Sequence, residues 1–282
     1  MTLSPRQVRE LLDEHGLTPS RALGQNFVAD PNTVRRIAAL AEVGPGDRVV
    51  EVGPGLGSLT LALAETGASV TAVEVDRHLL PALRSVVEPV GVRVVEGDAR
   101  TVDWAALLGD GDGDGGDGWA LVANLPYNIA TPLVLDLLAD VPAITRMLVM
   151  VQREVGERLA ARAGDDAYGI PSVKVAWWAT AKVVGRVPPT VFVPQPKVES
   201  ALVRIVRHGS PPVEGAAGVD RGRLFRLVDA GFGQRRKMLR RSLAGLVDAA
   251  AFAAAGVRPE ARAEELDLAA WVRLAAAATM EG

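Results

Sequence analysis

Asn124, Leu125, Pro126 and Tyr127 follow directly on an apolar run, Trp119 to Ala123. An aromatic exocyclic amine is a poor nucleophile because its lone pair is delocalised into the ring. A protein that uses one must hold it so that the lone pair points at an electrophile. The side-chain carbonyl of Asn124 and the backbone carbonyl of Pro126 can each accept from an N–H2 group, and proline, lacking an N–H, leaves its carbonyl free in a fixed turn. Tyr127, one of only two tyrosines in the chain, can stack on the base. Together they would position an adenine N6 for in-line attack on a methyl sulfonium, with proximity supplying most of the rate. Helix capping accounts for part of the stretch, since Asn favours the N-cap and Pro the first turn. It gives no reason for an aromatic facing a cleft.

Three upstream groups complete a possible ligand site. The stretch "EVGPGLGSLT" (51–60) carries Gly53, Gly55 and Gly57, which let the backbone turn sharply and approach a ligand ahead of a helix N-terminus. Such a turn fits nicotinamide enzymes, methyltransferases and purely structural turns alike. Glu74 in "AVEVD" lies 21 residues after Gly53, the distance at which an acid meets a ribose in open α/β sheets. Asp98 in "VEGDA" can accept from an exocyclic adenine amine. Glu74 and Asp98 could equally be helix caps; their placement on successive strand ends favours a ligand.

The elements that position these residues alternate. Apolar runs "DRVVEV", "SVTAVEV", "VRVVEG", "WALVAN", "RMLVMVQ" and "ALVRIVR" are separated by helical stretches between Asp47 and Arg207. Val-rich strands without polar alternation imply a mostly parallel sheet covered on both faces, hence a doubly wound α/β domain whose ligands lie beyond the strands' carboxyl ends. The expected organisation is a first domain over 1–208, a Pro/Gly-rich linker over 209–220 and a small all-helical domain over 221–282. The Gly/Asp stretch 109–118 reads as a short acidic surface loop, lacking the spaced Glu and helix pair of a calcium site.

The chain has 282 residues and no cysteine, which removes disulfides, thiolate zinc sites and cysteine nucleophiles. His15, His78 and His208 lack metal-ligand spacing, so a metal-free chemistry is expected. There is no signal pattern and no span of about 18 apolar residues, so the protein is expected to be cytoplasmic, without a membrane partner. A monomer is expected. The net charge of −3 conceals strong segregation: residues 221–241 hold eight cations against Asp229 alone. Read as a helix, 232–246 puts Phe232, Leu239, Leu243 and Leu246 on one face, while Arg236/Arg240 and Lys237/Arg241 stack at i, i+4. A solvated helix face is the usual explanation of a charge run, but like charges so placed repel, which favours contact with a phosphate backbone. Arg235, Arg236, Lys237, Arg240 and Arg241 are the expected RNA contacts.

In order along the chain, "LGQNFVAD", "EVGPGLGSLT", "EVD", "EGDA", "NLPYNI", "VQREVGERL", "YGIPSV", "VFVPQPKVESAL" and "FGQRRKMLRRSL" resemble the signatures of the ribosomal RNA adenine N6,N6-dimethyltransferases, from about residue 8 to 275. The resemblance implies a Rossmann-like methyltransferase that binds S-adenosylmethionine. Asn26 and Val28 would close over the cofactor, Gly53 and Gly55 would line its methionine side, Glu74 would bind the ribose and Asp98 the adenine. Asn124 would touch both cofactor and target amine. Leu125, Pro126 and Tyr127 would complete the base pocket, and Phe192 would stack on the opposite face of the base. The implied substrate is a pair of adjacent adenines in a hairpin near the 3′ end of small-subunit rRNA, met in a small-subunit precursor, with a role in its biogenesis. Pro171, where the family more often has leucine, and the long acidic stretch depart from the pattern. Three alternatives remain: a large-subunit adenine methyltransferase conferring macrolide resistance, a non-catalytic ribosome-assembly factor, and a nicotinamide dehydrogenase, for which no hydride-transfer His or Lys stands near the strand ends.

Overall fold

The computed structural model describes residues 2–20, 22–109 and 118–278, so most of the acidic stretch lies outside the described residues. The chain divides into two compact units, Met1–Gly156 with Lys182–Val206, and Glu157–Ala181 with Arg207–Gly282.

The strands are β1 (Phe27–Val28), β2 (Arg48–Val52), β3 (Ser69–Glu74), β4 (Arg93–Glu96), β5 (Trp119–Asn124), β6 (Ile144–Gln152), β7 (Ala179–Val187), β8 (Phe192–Val193) and β9 (Ser200–Arg207). Seven form a sheet in the order β4-β3-β2-β5-β6-β9-β7, with β1 and β8 paired separately. Pairings among β2 to β6 are parallel, whereas β9 runs antiparallel to β6. Val49, Val50, Leu121 and Val149 are fully buried, each contributing about 1.5–3 kcal/mol by leaving water. That two-sided burial is why these strands read as unbroken apolar runs. The short β1 and β8 and the exposed, alternating β7 lacked that signal.

The helices are α1 (Pro5–Glu14), α2 (Pro31–Ala41), α3 (Ser58–Ala64), α4 (Leu80–Val87), α5 (Trp104–Leu108), α6 (Ala130–Asp140), α7 (Arg153–Ala160), α8 (Ile170–Trp178), α9 (Arg221–Gly233), α10 (Leu239–Ser242), α11 (Ala249–Ala255) and α12 (Leu268–Ala277). Several starts are set by sequence: Asp30 accepts from the Thr33 amide and is followed by Pro31 at the first turn of α2, and Asp220, Asp248 and Asp267 cap α9, α11 and α12. From β2 the chain winds outward through β3 to β4, and from β5 in the opposite sense to β6. The reversal between β2 and β5 makes their carboxyl ends the crevice of the sheet.

The second unit differs from the expected division at residue 208, because 157–181 packs with the C-terminal helices. Tyr168 is buried, donates from its hydroxyl to the Leu266 carbonyl at 2.8 Å and meets Phe232 edge-on at 5.8 Å. Val173 of α8 shares a core with Leu224, Leu227 and Trp271. No helix among the described residues is long and apolar enough to cross a membrane.

Candidate active site

A cleft opens at the reversal point, lined by the loop 23–28, the glycine turn after β2, and the ends of β3, β4 and β5. Its floor is backbone. Gly53, Gly55 and Gly57 all have positive φ. At Gly55 (φ +60°) a Cβ would stand 2.7 Å from the Phe27 ring, so both conformation and space demand glycine there. Gly57 then starts α3, whose first residue, Ser58, lines the cleft.

Glu74 ends β3 only 4% exposed. Its Oε2 accepts from the Gly55 amide at 3.0 Å and its Oε1 from the Asp76 amide at 2.9 Å, so the acid that lines the cleft also locks the glycine turn. Burial pushes its carboxyl above the ordinary range, against these two donors. Asp98, at the end of β4, is held from the other side: the Arg100 amide and guanidinium donate to it at 2.9 and 2.8 Å and keep its carboxyl below the usual range.

The loop before β1 closes the cleft over Pro126. Asn26 and Val28 line it, and Gln25 donates to Asp76 at 2.7 Å, pinning the loop to the β3 end. Asn124 Nδ2 donates to the Asn26 carbonyl at 3.0 Å. With the N–H2 end of the amide so committed, the carbonyl end is the acceptor left for a ligand. Tyr127 hydrogen-bonds the buried Ser200 through its hydroxyl at 2.9 Å, which fixes its ring beside Pro126.

The structure therefore gathers Asn26, Val28, Gly53, Gly55, Glu74, Asp98, Asn124 and Pro126 around one cleft. Four expectations change. Tyr127 does not line this cleft. Leu125 is 1% exposed and outside the lining, so it can contribute only through its main chain. The Pro126 carbonyl is not free, since it accepts from the Ile129 amide at 3.1 Å, although its second lone pair remains. Phe192 is 3% exposed, belongs to the hydrophobic core and is absent from the cleft lining; its strand β8 is held by β1, with Phe192 opposite Val28.

Sequence reasoning missed Glu51, Ser58 and Ser200. Glu51 opens the glycine-rich stretch and was legible as an acid set among Val49, Val50 and Val52. Glu51 Oε2 and Ser58 Oγ are buried without hydrogen-bond partners among the described residues, and both residues line the cleft. Carboxyls line this cleft at Glu51, Glu74 and Asp98, and among the described residues no Lys, Arg or His does. A ligand cation is favoured there over an anion.

The basic segment is not one helix. α9 ends at Gly233, and the amides of Leu239 and Arg240 leave helical geometry to donate to the carbonyls of Ala261 and Pro259. These tertiary bonds override the local pattern. Phe232, Leu239, Leu243 and Leu246 still pack on the helical core. Arg235 pairs with Glu264 and Arg240 with Glu260, whereas Arg236, Lys237 and Arg241 are exposed. Among the described residues, no group of three or more His, Asp or Glu could hold a metal ion.

An α/β sheet with a glycine turn, an acid on the neighbouring strand end and Asn-Leu-Pro-Tyr at the switch point defines a nucleoside-binding group-transfer protein. A family model described as ribosomal RNA adenine dimethylase matches residues 17–279. A protein named ribosomal RNA small subunit methyltransferase A from Cutibacterium acnes is 48% identical over 99% of this chain and 95% of its own. The chain belongs to the ribosomal RNA adenine dimethylase family. Among solved structures, a dimethyladenosine transferase from Plasmodium falciparum superposes with TM-score 0.68 at 21% identity over 88% of this chain and 95% of its own. The 23S rRNA methyltransferase ErmE does so with TM-score 0.65 at 29% identity, over 89% and 99%.

Proposed function

We propose that the protein transfers methyl groups from S-adenosylmethionine to N6 of two adjacent adenines in small-subunit rRNA, acting on a precursor particle during its biogenesis. The observation that carries this reading is the Asn124 amide, fixed by its bond to Asn26 so that its carbonyl is the acceptor left beside a cation-seeking cleft. Bound there, the cofactor supplies an electrophilic methyl carbon on a positively charged sulfur.

The cleft fits such a group: its orphaned Glu51 and Ser58 oxygens await polar partners, and Glu74, with lone pairs beyond those used by Gly55 and Asp76, can take a vicinal diol. Asp98, kept ionised by Arg100, accepts the cofactor's adenine amine, while Asn26 and Val28 close the near wall. Asn124 Oδ1 and the backbone carbonyl of Pro126 accept the two N–H bonds of the target amine and turn its lone pair toward the methyl carbon. Tyr127, oriented by Ser200, covers the face of the target base. Rate comes from alignment rather than from a strong base. Arg236, Lys237 and Arg241 contact RNA phosphates; Arg235 and Arg240, spent on Glu264 and Glu260, chiefly hold their own loop.

The test is methyl transfer from labelled S-adenosylmethionine to small-subunit particles, large-subunit particles and naked rRNAs from cells lacking both marks, with nucleoside analysis. Dimethyladenosine confined to small-subunit material is expected. Label in large-subunit RNA would replace this reading with the resistance-type activity, and no transfer to any substrate would leave a binding factor.

A further inference from the structure

Glu51 is a buried acid that touches no reacting atom in the transfer chemistry and figures there only as an unpartnered oxygen of the cleft wall. It is 1% exposed, sits on the interior strand β2 one residue before the strand ends in the glycine turn, and forms part of the cleft wall with Oε2 unpartnered among the described residues. The elements packed around it supply no cation: β5 and α3 carry no ionisable side chain, β1 is Phe27–Val28, and the charged neighbour on β3 is the Glu74 carboxylate. An isolated carboxylate in such a place is expensive, and the neutral acid is the cheaper state.

We propose that Glu51 is a proton-linked sensor of the cofactor's positive charge: it is a neutral acid in the free cleft, and it releases its proton to solvent when the cationic methyl donor binds. The proposal rests on the reading that the cleft takes S-adenosylmethionine. Burial, with the Glu74 carboxylate adding to it and the Thr60 hydroxyl opposing it, pushes the Glu51 carboxyl up to about 8. A ligand cation in the cleft reverses the balance, because it is the counter-charge that the protein withholds. The ionised carboxylate then favours the charged donor over uncharged nucleosides of similar shape. Binding thereby becomes tighter as pH rises towards 8, by about tenfold per unit wherever the free acid is protonated and the bound one is not.

Calorimetric titration of the full-length protein with S-adenosylmethionine at pH 7, in phosphate and in Tris, tests this directly, since the two buffers absorb a released proton with different heats. At that pH the ligand's own amine, with an ordinary value of about 7.7–8.0, is still largely charged. About one proton released per ligand is expected with the wild type, and nearly none with Glu51→Gln. 5′-Methylthioadenosine, which carries neither ammonium nor sulfonium, is expected to bind both proteins with no release; that binding also shows that the variant's cleft is intact. Equal heats in the two buffers for the wild type, or release that persists in Glu51→Gln, would overturn the proposal. If the variant does not fold, the wild-type dissociation constant decides: a value unchanged between pH 6 and 7 contradicts the linkage. Failure of S-adenosylmethionine to bind at all would indict the cofactor reading instead.

Discussion

The glycine turn after β2 and the basic segment after α9 are both short stretches dominated by one kind of residue, yet they relate to their sequences in opposite ways. In the turn, each glycine answers a local demand, a positive φ or a missing side chain, and Glu74 locks the result with a backbone hydrogen bond. In the basic segment the charges look alike, but Glu264 and Glu260, which neutralise Arg235 and Arg240, stand 20 or more residues away. A site made of backbone geometry is written where it stands; a site made of net charge depends on partners that only the fold brings in.

Substitution in the turn should have the largest effect. Gly55→Val would drive a branched side chain into the Phe27 ring at a φ of +60°, destabilising the protein by at least about 2 kcal/mol. Cofactor affinity should fall at least about 100-fold, as measured by equilibrium binding on protein that remains folded by circular dichroism. In the basic segment, Arg236→Ala with Lys237→Ala and Arg241→Ala should weaken particle binding about tenfold and reduce its log–log salt slope by up to about 3, roughly one for each phosphate no longer neutralised. Arg235→Ala with Arg240→Ala should leave that slope nearly unchanged and lower the melting temperature instead. Equal slopes for the two sets would erase the distinction between free and paired cations.

Smaller effects sharpen the comparison within the cleft. The folded Glu51 carboxyl lies near 8 against 4.5 ordinarily, so the folded state holds a proton that the unfolded chain releases. Its contribution to stability is full below about pH 4.5 and is lost as pH rises through about 8. Glu51→Gln should therefore flatten the decline in melting temperature between pH 5 and 9 for ligand-free protein. Tyr127→Phe loses only the bond to Ser200, worth about 0.5–1.5 kcal/mol, and should slow transfer about two- to tenfold with little change in cofactor affinity.

Much of the cleft lining was legible in the sequence. Gly53, Gly55, Glu74, Asp98 and Asn124 lie at or just after the ends of the consecutive strands β2 to β5, and strand period and turn chemistry place such residues without knowledge of packing. Phe192 was misplaced because its position depends on the two-residue ribbon of β8 with β1, too short for any periodic signal. Leu125 was misread because, in a polar motif, nothing local tells a side chain turned into the core from one turned into a pocket. The break after α9 was hidden because its cause lies in the carbonyls of Pro259 and Ala261. The grouping of 157–181 with the C-terminal helices likewise depends on Tyr168 reaching Leu266, 98 residues on.

The central claim is that Asn124 aligns the target amine. It is tested most directly by measuring cofactor affinity, particle affinity and single-turnover methyl transfer on one preparation of Asn124→Ala. Loss of the bond to Asn26 should weaken cofactor binding by no more than about tenfold and leave particle binding unchanged, while transfer falls by about a thousandfold. Transfer within tenfold of the wild type, with cofactor and particle both saturating, would contradict it.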